Sequence, residues 1–342
     1  MRSVLCVDSV IMRILLSSWS FHPSIGGVEA NSRMMAEEFL RRGHEVTVVT
    51  ETPAEGREEF PFRVCRRPTP GRLIQLLRDS DVYLQNHISL LLAWPLLFVR
   101  RPWVVAHHNW ISRSGLRGRL KHHLLAYGRS IACSNAIAAS LCVPSTVVQS
   151  PYDDRTFRVM PDIKRDRDLI FLGRLVSEKG AHLLLDAASR LKRQGLEATV
   201  TITGLGPESE SLIRQAKALG LGRQVEFTGS RSGTELAALL NRHRVMVVPS
   251  VWREPFGSVA LEGIACGCVI VGSEEGGLKD AIGPCGVTFP NGDVGALTDR
   301  LSRLLREPSN RRKYREAAAS HLQSHTRSSV ADAYLRVLRA AL

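Results

Sequence analysis

What most constrains this chain is an alternation that runs along most of its length. Short runs that are apolar throughout keep giving way to stretches with helical spacing. In the first half, "RILLSS" and "EVTVVT" flank a helical stretch from Val28 to Arg42. There Val28, Met35, Ala36 and Phe39 share one face, and Gly43 follows as the C-terminal cap. "DVYLQN", "WVVAH", "SIACS" and "TVVQS" continue the series. The second half repeats it with "DLIFLG", "ATVTITG", "QVEFTG", "RVMVVPS" and "CVIVG", separated by helical stretches such as Ala181 to Gln194 and Glu208 to Leu219. Strands of this kind, alternating with helices, predict parallel sheets covered on both faces. The fold class is therefore α/β, with two doubly wound domains. Their ligands are expected beyond the carboxyl ends of the strands, in the cleft between the domains.

A chain of 342 residues suits two such domains. The polar segment "MPDIKRDRD", Met160 to Asp168, is the best linker. It divides a first domain, 12–160, from a second, 161–310, with residues 311–342 as further helices. "MRSVLCVDSVIMRILLSSW" is apolar but broken by Asp8 and Arg13, which spoils a signal-peptide core. Residues 1–11 read as a short extension. The seven cysteines show no C-x-x-C pairing and read as buried thiols of a cytosolic protein.

The net charge of +13 admits nucleic acid, anionic lipid and acidic small molecules as partners. The excess is uneven: from Arg101 to Tyr152 there is no acidic residue, while Arg113, Arg117, Arg119, Lys121 and Arg129 all lie there. This segment is expected to touch an anionic membrane or an acidic acceptor. Nucleic acid is not expected, because no aromatic stacking pattern is interleaved with the charges.

Three constellations carry chemistry. Gly26 and Gly27 in "SFHPSIGGVEAN" precede the first helix, where backbone N–H groups favour negative charge. In "FLGRLVSEKGAHLLLDA", Gly173-Arg174 end a strand and Lys179-Gly180 open the next helix. Two cations in that position make a diphosphate clamp, and the order is not that of a Walker loop. In "PSVWREPFGSVALEGIACG" a loop holds Glu254 and a helix holds Glu262. Ser258 is the expected N-cap, and the N–H groups of Gly257, Ser258 and Val259 would face a phosphate. Glu254, in the loop, is expected to be free to reach across the cleft, and Glu262 to point toward a ribose. "TGLGP" lacks a third glycine, and no acid ends the next strand, so a dehydrogenase is set aside. The strings Asp79-Ser80-Asp81 and Asp166-Arg167-Asp168 read as turn residues, and no metal is expected.

In this order, these segments resemble the group 1 glycosyltransferases, retaining enzymes (family four) of the two-Rossmann GT-B architecture that use nucleotide sugars. The resemblance runs from about Met12 to the C-terminus. It rests on "PSIGGVEANSRMMAEEFLRRGHEVTVVT", on the G-R-x-x-x-x-K-G from Gly173 to Gly180, and on the two glutamates with seven residues between them. It implies transfer of a hexosyl group from a nucleotide-diphosphate sugar to a hydroxyl of a glycan, a lipid-linked or a small-molecule acceptor, without a cofactor. Arg174 and Lys179 would bind the diphosphate, helped by the backbone from Phe256 to Val259. Glu262 would bind the ribose, Glu254 the sugar hydroxyls, and Gly26 and Gly27 would line the sugar–phosphate site. A family histidine falls in "VVAHHNW", with His108 preferred over His107. Base contacts would come from Gly204, Thr228 and Gly229. The final helices would cross back to the first domain. Family habit places such enzymes in bacterial cell-envelope polysaccharide biosynthesis, in the cytoplasm or on the inner face of the membrane. The chain departs from the family's G-G-x-P-E, which reads Gly276-Gly277-Leu278-Lys279-Asp280. The alternative reading is a non-catalytic GT-B scaffold that binds nucleotide or polyanion.

Overall fold

The computed structural model describes residues 11–24, 26–55 and 59–342; the extension expected at 1–11 lies outside them except for Ile11. By their contacts these residues form two units. The first gathers residues up to Cys133, Ile137–Val148 and Val330–Leu342; the second gathers Ser134–Ala136 and Gln149–Ser329. The change of unit thus falls after Val148, ahead of the polar segment that served as the sequence boundary.

The first unit carries a seven-stranded sheet. Its strands are β1 (Arg13–Ser18), β2 (Glu45–Thr50), β3 (Arg63–Arg66), β4 (Val82–Asn86), β5 (Trp103–His107), β6 (Arg129–Ala132) and β7 (Ser145–Val147), in the order β3-β2-β1-β4-β5-β6-β7. Every pairing is parallel. The helix Gly27–Arg41 packs Met35, Ala36 and Phe39 onto Leu16, Val48 and Val104. The last helix, Arg327–Arg339, adds Tyr334, Leu335 and Leu338 to the same core. Arg42 ties the two helices together: its guanidinium donates to Glu38 at 2.5 Å and to Asp332 at 2.7 Å. Burial pushes the Glu38 carboxyl up, but hydrogen bonds from Arg41 and Arg42 prevail and hold it below the usual range.

The second unit carries a six-stranded sheet of β8 (Arg167–Leu172), β9 (Val200–Thr203), β10 (Val225–Gly229), β11 (His243–Val248), β12 (Val269–Ser273) and β13 (Gly286–Phe289). Their order is β10-β9-β8-β11-β12-β13, again all parallel. Leu184, Leu185 and Leu191 of the helix Ala181–Arg193 and Leu297 and Leu301 of the helix Val294–Arg306 cover Phe171, Val200 and Val247.

Edge strands β3 and β13 were not expected. Each has four residues, mostly half-exposed, so neither shows the apolar run that marks a buried strand. The expectation of burial holds for Cys133, Cys266, Cys268 and Cys285, but Cys142 is exposed and Cys65 half-buried. Among the described residues, no helix is long and apolar enough to cross a membrane.

Candidate active site

In the second unit, β8 lies beside β11, and the chain winds away from that junction in opposite directions, to β9 and β10 on one side and β12 and β13 on the other. Such a junction opens a crevice at the carboxyl ends of the two strands. Both motif-bearing loops emerge there.

The loop after β8 passes through the turn Ser177–Lys179 to Gly180, which caps the helix Ala181–Arg193 with φ +70°. A Cβ on Gly180 would lie 1.9 Å from the Pro249 carbonyl oxygen. Glycine here serves both the left-handed backbone and the close approach of the loop after β11. Beside it, the Val251 N–H donates to the Glu178 carbonyl at 2.9 Å. Lys179 Nζ is thereby set 2.6 Å from Glu254 Oε1, and the Ser250 hydroxyl donates to the same oxygen at 2.6 Å.

This corrects the expectation that Glu254 is free. Its residue is 7% exposed, and its backbone bridges to Gly276 and accepts from the Gly277 N–H at 2.7 Å. A carboxylate buried in this way needs a cation, and Lys179 supplies it. The hydrogen bonds from Lys179 and Ser250 both fall on Oε1 rather than Oε2.

The next helix, Ser258–Ala265, is capped by Gly257 at φ +95° and not by Ser258, which is its first residue. A Cβ on Gly257 would lie 2.5 Å from Leu278, so the sharp entry is fixed by packing. Phe256 is buried, its ring centroid 5.9 Å from that of His325. The helix start therefore presents the N–H groups of Ser258 and Val259 without intrahelical acceptors. Glu262, in the second turn, is half-buried; burial, with the Asp153 charge as a smaller cause, pushes its carboxyl up to about 8.

Gly173, Gly204, Thr228 and Gly229 meet at the ends of β8, β9 and β10. Gly173 donates to Thr203 at 3.1 Å, Gly204 donates to Gly229 at 2.9 Å, and the Thr203 and Thr228 hydroxyls are 3.0 Å apart. Arg174 is exposed beside them.

In the first unit, Gly26 is the extended N-cap of the helix Gly27–Arg41, and both glycines are exposed. His107 is buried inside β5, where its Nε2 lies 3.2 Å from the Ser130 hydroxyl. His108 follows the strand, with Nε2 3.3 Å from the Tyr334 hydroxyl. Burial, with His87 as a smaller cause, pushes His108 down to about 3, so its ring is neutral near pH 7.

The family model described as glycosyl transferases group 1 matches residues 153–321, the stretch that holds the two loops and the helix between Glu254 and Glu262. This chain is a glycosyltransferase, matched to group 1 over that stretch. It is 29% identical to a glycogen synthase of Mycobacterium tuberculosis over 92% of this chain and 91% of that one. A GDP-mannose-dependent phosphatidylinositol monomannoside mannosyltransferase of Mycolicibacterium smegmatis is 28% identical over 86% of this chain and 90% of its own. Among solved structures, HepE of Anabaena in complex with UDP superposes with a TM-score of 0.83 at 20% identity, covering 96% of this chain and all of that one. The two sheets thus have the GT-B architecture.

In this glycosyltransferase the acidic D-x-D strings take part in local ion pairs. Asp81 pairs with Arg13 at 2.7 Å, Asp166 with Arg242 at 2.9 Å and Asp168 with Arg244 at 2.6 Å, all at the amino ends of strands. Among the described residues, no three or more His, Cys, Asp or Glu side chains gather as a metal site. Sequence reasoning missed Ser250, Tyr334 and a buried network at the junction of β1 and β4. In that network Asn86 donates to Ser32 at 2.6 Å and Ser32 to Ser18 at 2.9 Å. Small polar residues at strand ends were the available signal, but they look like ordinary turn residues.

Proposed function

We propose that this glycosyltransferase moves a hexosyl group from a nucleoside-diphosphate sugar to a hydroxyl acceptor with retention at the anomeric carbon. The observation that carries the reading is the Lys179–Glu254 pair beside the start of the Ser258–Ala265 helix. It places a cation, a carboxylate and helix N–H groups around one crevice. A diphosphate there is held by Arg174, Lys179 and the N–H groups of Gly257, Ser258 and Val259. UDP in the HepE structure, and the GDP-mannose dependence in the name of the mycobacterial relative, support a nucleotide sugar as donor.

In the transfer, the bond from the anomeric carbon to the phosphate oxygen breaks, and the acceptor oxygen bonds to that carbon from the same face. The acceptor proton passes to the departing phosphate oxygen, leaving a glycoside and a nucleoside diphosphate. Arg174, Lys179 and the helix start stabilise the charge that develops on the diphosphate, and each lost contact raises the barrier by about 3 kcal/mol. Glu254 keeps Lys179 on Oε1 and accepts a sugar hydroxyl on Oε2, and Glu262 accepts from the ribose. The diphosphate charge is met by these groups, and the reading asks for no metal. The acceptor is a carbohydrate or a lipid-linked molecule, and the basic residues from Arg113 to Arg129 lie against an anionic membrane surface.

The test is a thermal-shift panel of UDP, GDP, ADP and dTDP on the wild type and Lys179→Ala, followed by NMR of the product's anomeric configuration. A nucleotide at ~100 times its dissociation constant stabilises by about 2.7 kcal/mol. One nucleotide that shifts the wild type but not the variant supports the donor site; no shift from any of them overturns it. An inverted anomer overturns retention.

A further inference from the structure

The helix Gly115–Leu124 carries Leu116, Leu120 and Leu124 at four-residue spacing, and Tyr127 continues the stripe one turn on. A helix on a sheet normally turns such a stripe inward. Here the buried residue of the helix is Gly118, where an added Cβ would lie 2.3 Å from the Ser112 carbonyl oxygen. The helix rests on the chain through its glycine and presents Leu116 and Leu120 outward, with Leu124 half-buried. Leu116 is 83% exposed and Tyr127 73%.

Across from it, the segment after β4 does the same. Leu97 and Phe98 are 74% and 72% exposed, and Trp94 packs edge-on against Phe98 with ring centroids 6.1 Å apart. Between the two elements runs a groove of about 1080 Å³ lined by Leu90, Trp94, Leu97, Leu120, Leu124 and Tyr127. That exceeds the ~300–1,000 Å³ usual for small-ligand sites. Arg100 and His123 lie on its border.

The segments that form this face carry charge of one sign. From Val82 to Tyr152 the chain has no Asp or Glu and seven Lys or Arg. Arg100, Arg117 and Arg119 are exposed, and Lys121 is half-buried. A protein partner of ordinary composition would not call for an apolar stripe whose own segments carry only cations. An anionic bilayer would: cations meet headgroups while leucine and aromatic side chains enter the acyl boundary.

We infer that this face of the first unit docks on an anionic bilayer, with the groove seating an acyl chain of one of its lipids. The inference deepens the membrane contact proposed above, adding the apolar stripe and the groove to its charges. It does not depend on transfer activity.

The experiment is flotation of the full chain with vesicles of phosphatidylcholine alone and vesicles enriched in phosphatidylglycerol, at low and high salt. The wild type is expected to float with the anionic vesicles and to be released by salt. Arg117→Gln/Arg119→Gln/Lys121→Gln should weaken partitioning on the order of a hundredfold, since each cation near an anionic surface contributes several-fold. Leu97→Ser/Phe98→Ser/Leu116→Ser should abolish it at any salt. Both variants should keep the nucleotide-dependent thermal shift of the second unit, which shows that they fold. Lys179→Ala should float like the wild type, which separates docking from the donor site. A wild type that ignores phosphatidylglycerol, or variants that float unchanged, would overturn the inference. So would a concentration-dependent dimer that the serine substitutions dissolve without any vesicle binding, which would assign the face to a second copy of the chain.

Discussion

Lys179 Nζ and Glu254 Oε1, brought to 2.6 Å from 75 residues apart in the chain, hold each other at the crevice where β8 and β11 part. A phosphate entering the crevice therefore competes with Glu254 for the lysine. Glu254→Gln keeps the shape but releases the cation. Calorimetry should then find a nucleoside diphosphate bound several-fold tighter, while initial rates of sugar transfer fall on the order of a hundredfold. Weaker nucleotide binding in the variant would contradict that competition.

Removing the other partner tests stability. Lys179→Ala leaves a buried carboxylate with Ser250 alone. The cost is about 1–3 kcal/mol, below that of a fully buried pair because Lys179 is partly exposed. Adding Glu254→Gln should recover part of it in urea denaturation. Strict additivity of the two changes would show that the pair contributes nothing.

Glu262 gives a pH signature. Its carboxyl is raised from 4.5 to about 8, so the folded chain keeps a proton there that the unfolded chain has released. Stability from this group is present below 4.5 and is lost as pH rises toward 8. Glu262→Gln should lie increasingly above the wild type in melting temperature across that window. Parallel melting curves against pH would rule out the buried proton.

Five histidines act in the opposite direction. Burial pushes His107 and His108 down to about 3 and His87, His243 and His325 down to about 4. Each is neutral when folded and takes up a proton on unfolding below 6.5, so stability falls as pH drops from there. Acid unfolding should begin near pH ~6, ahead of the carboxylate range. Proton uptake measured calorimetrically at pH ~5 should approach several per chain; uptake near zero would place these rings in water.

Gly180→Ala should be among the most damaging single-methyl additions. It combines a left-handed backbone with a Cβ 1.9 Å from a carbonyl oxygen. The strain alone is worth about 1–3 kcal/mol, and relief of the clash would draw Lys179 out of the crevice, away from a bound phosphate as well as from Glu254. Loss of stability without loss of nucleotide affinity would show that the two loops move independently.

The fold was largely written in the apolar runs. "RILLSS", "EVTVVT" and "DLIFLG" fall on β1, β2 and β8, and the helix read from Ala181 to Gln194 ends one residue sooner. A strand buried on both faces leaves little choice of side chain, so its run is legible. The four-residue edges β3 and β13 face fewer neighbours and leave no such mark.

At the site, residue types and local turns could be read, but pairings could not. That Lys179 neutralises Glu254 depends on two loops meeting around Gly180, a contact no spacing encodes. The cap fell on Gly257 rather than Ser258 because Leu278 crowds the turn, and capping preference sees only the local chain. In "GLRGRLKHHL" the charges were read and the leucine stripe was not, and the way that stripe points shows only in the fold. A glycine at 118, buried against Ser112, decided that.

The placement of Tyr334, Leu335 and Leu338 in the core of the first unit has a consequence for synthesis. Those residues leave the ribosome after every strand of the second sheet, which has emerged once Phe289 has. Domains usually mature in the order in which they are made. Here the half made first waits for the tail, held open while the half made later closes. A nonsense mutation in the helix Arg327–Arg339 would therefore strike the first unit and spare the second.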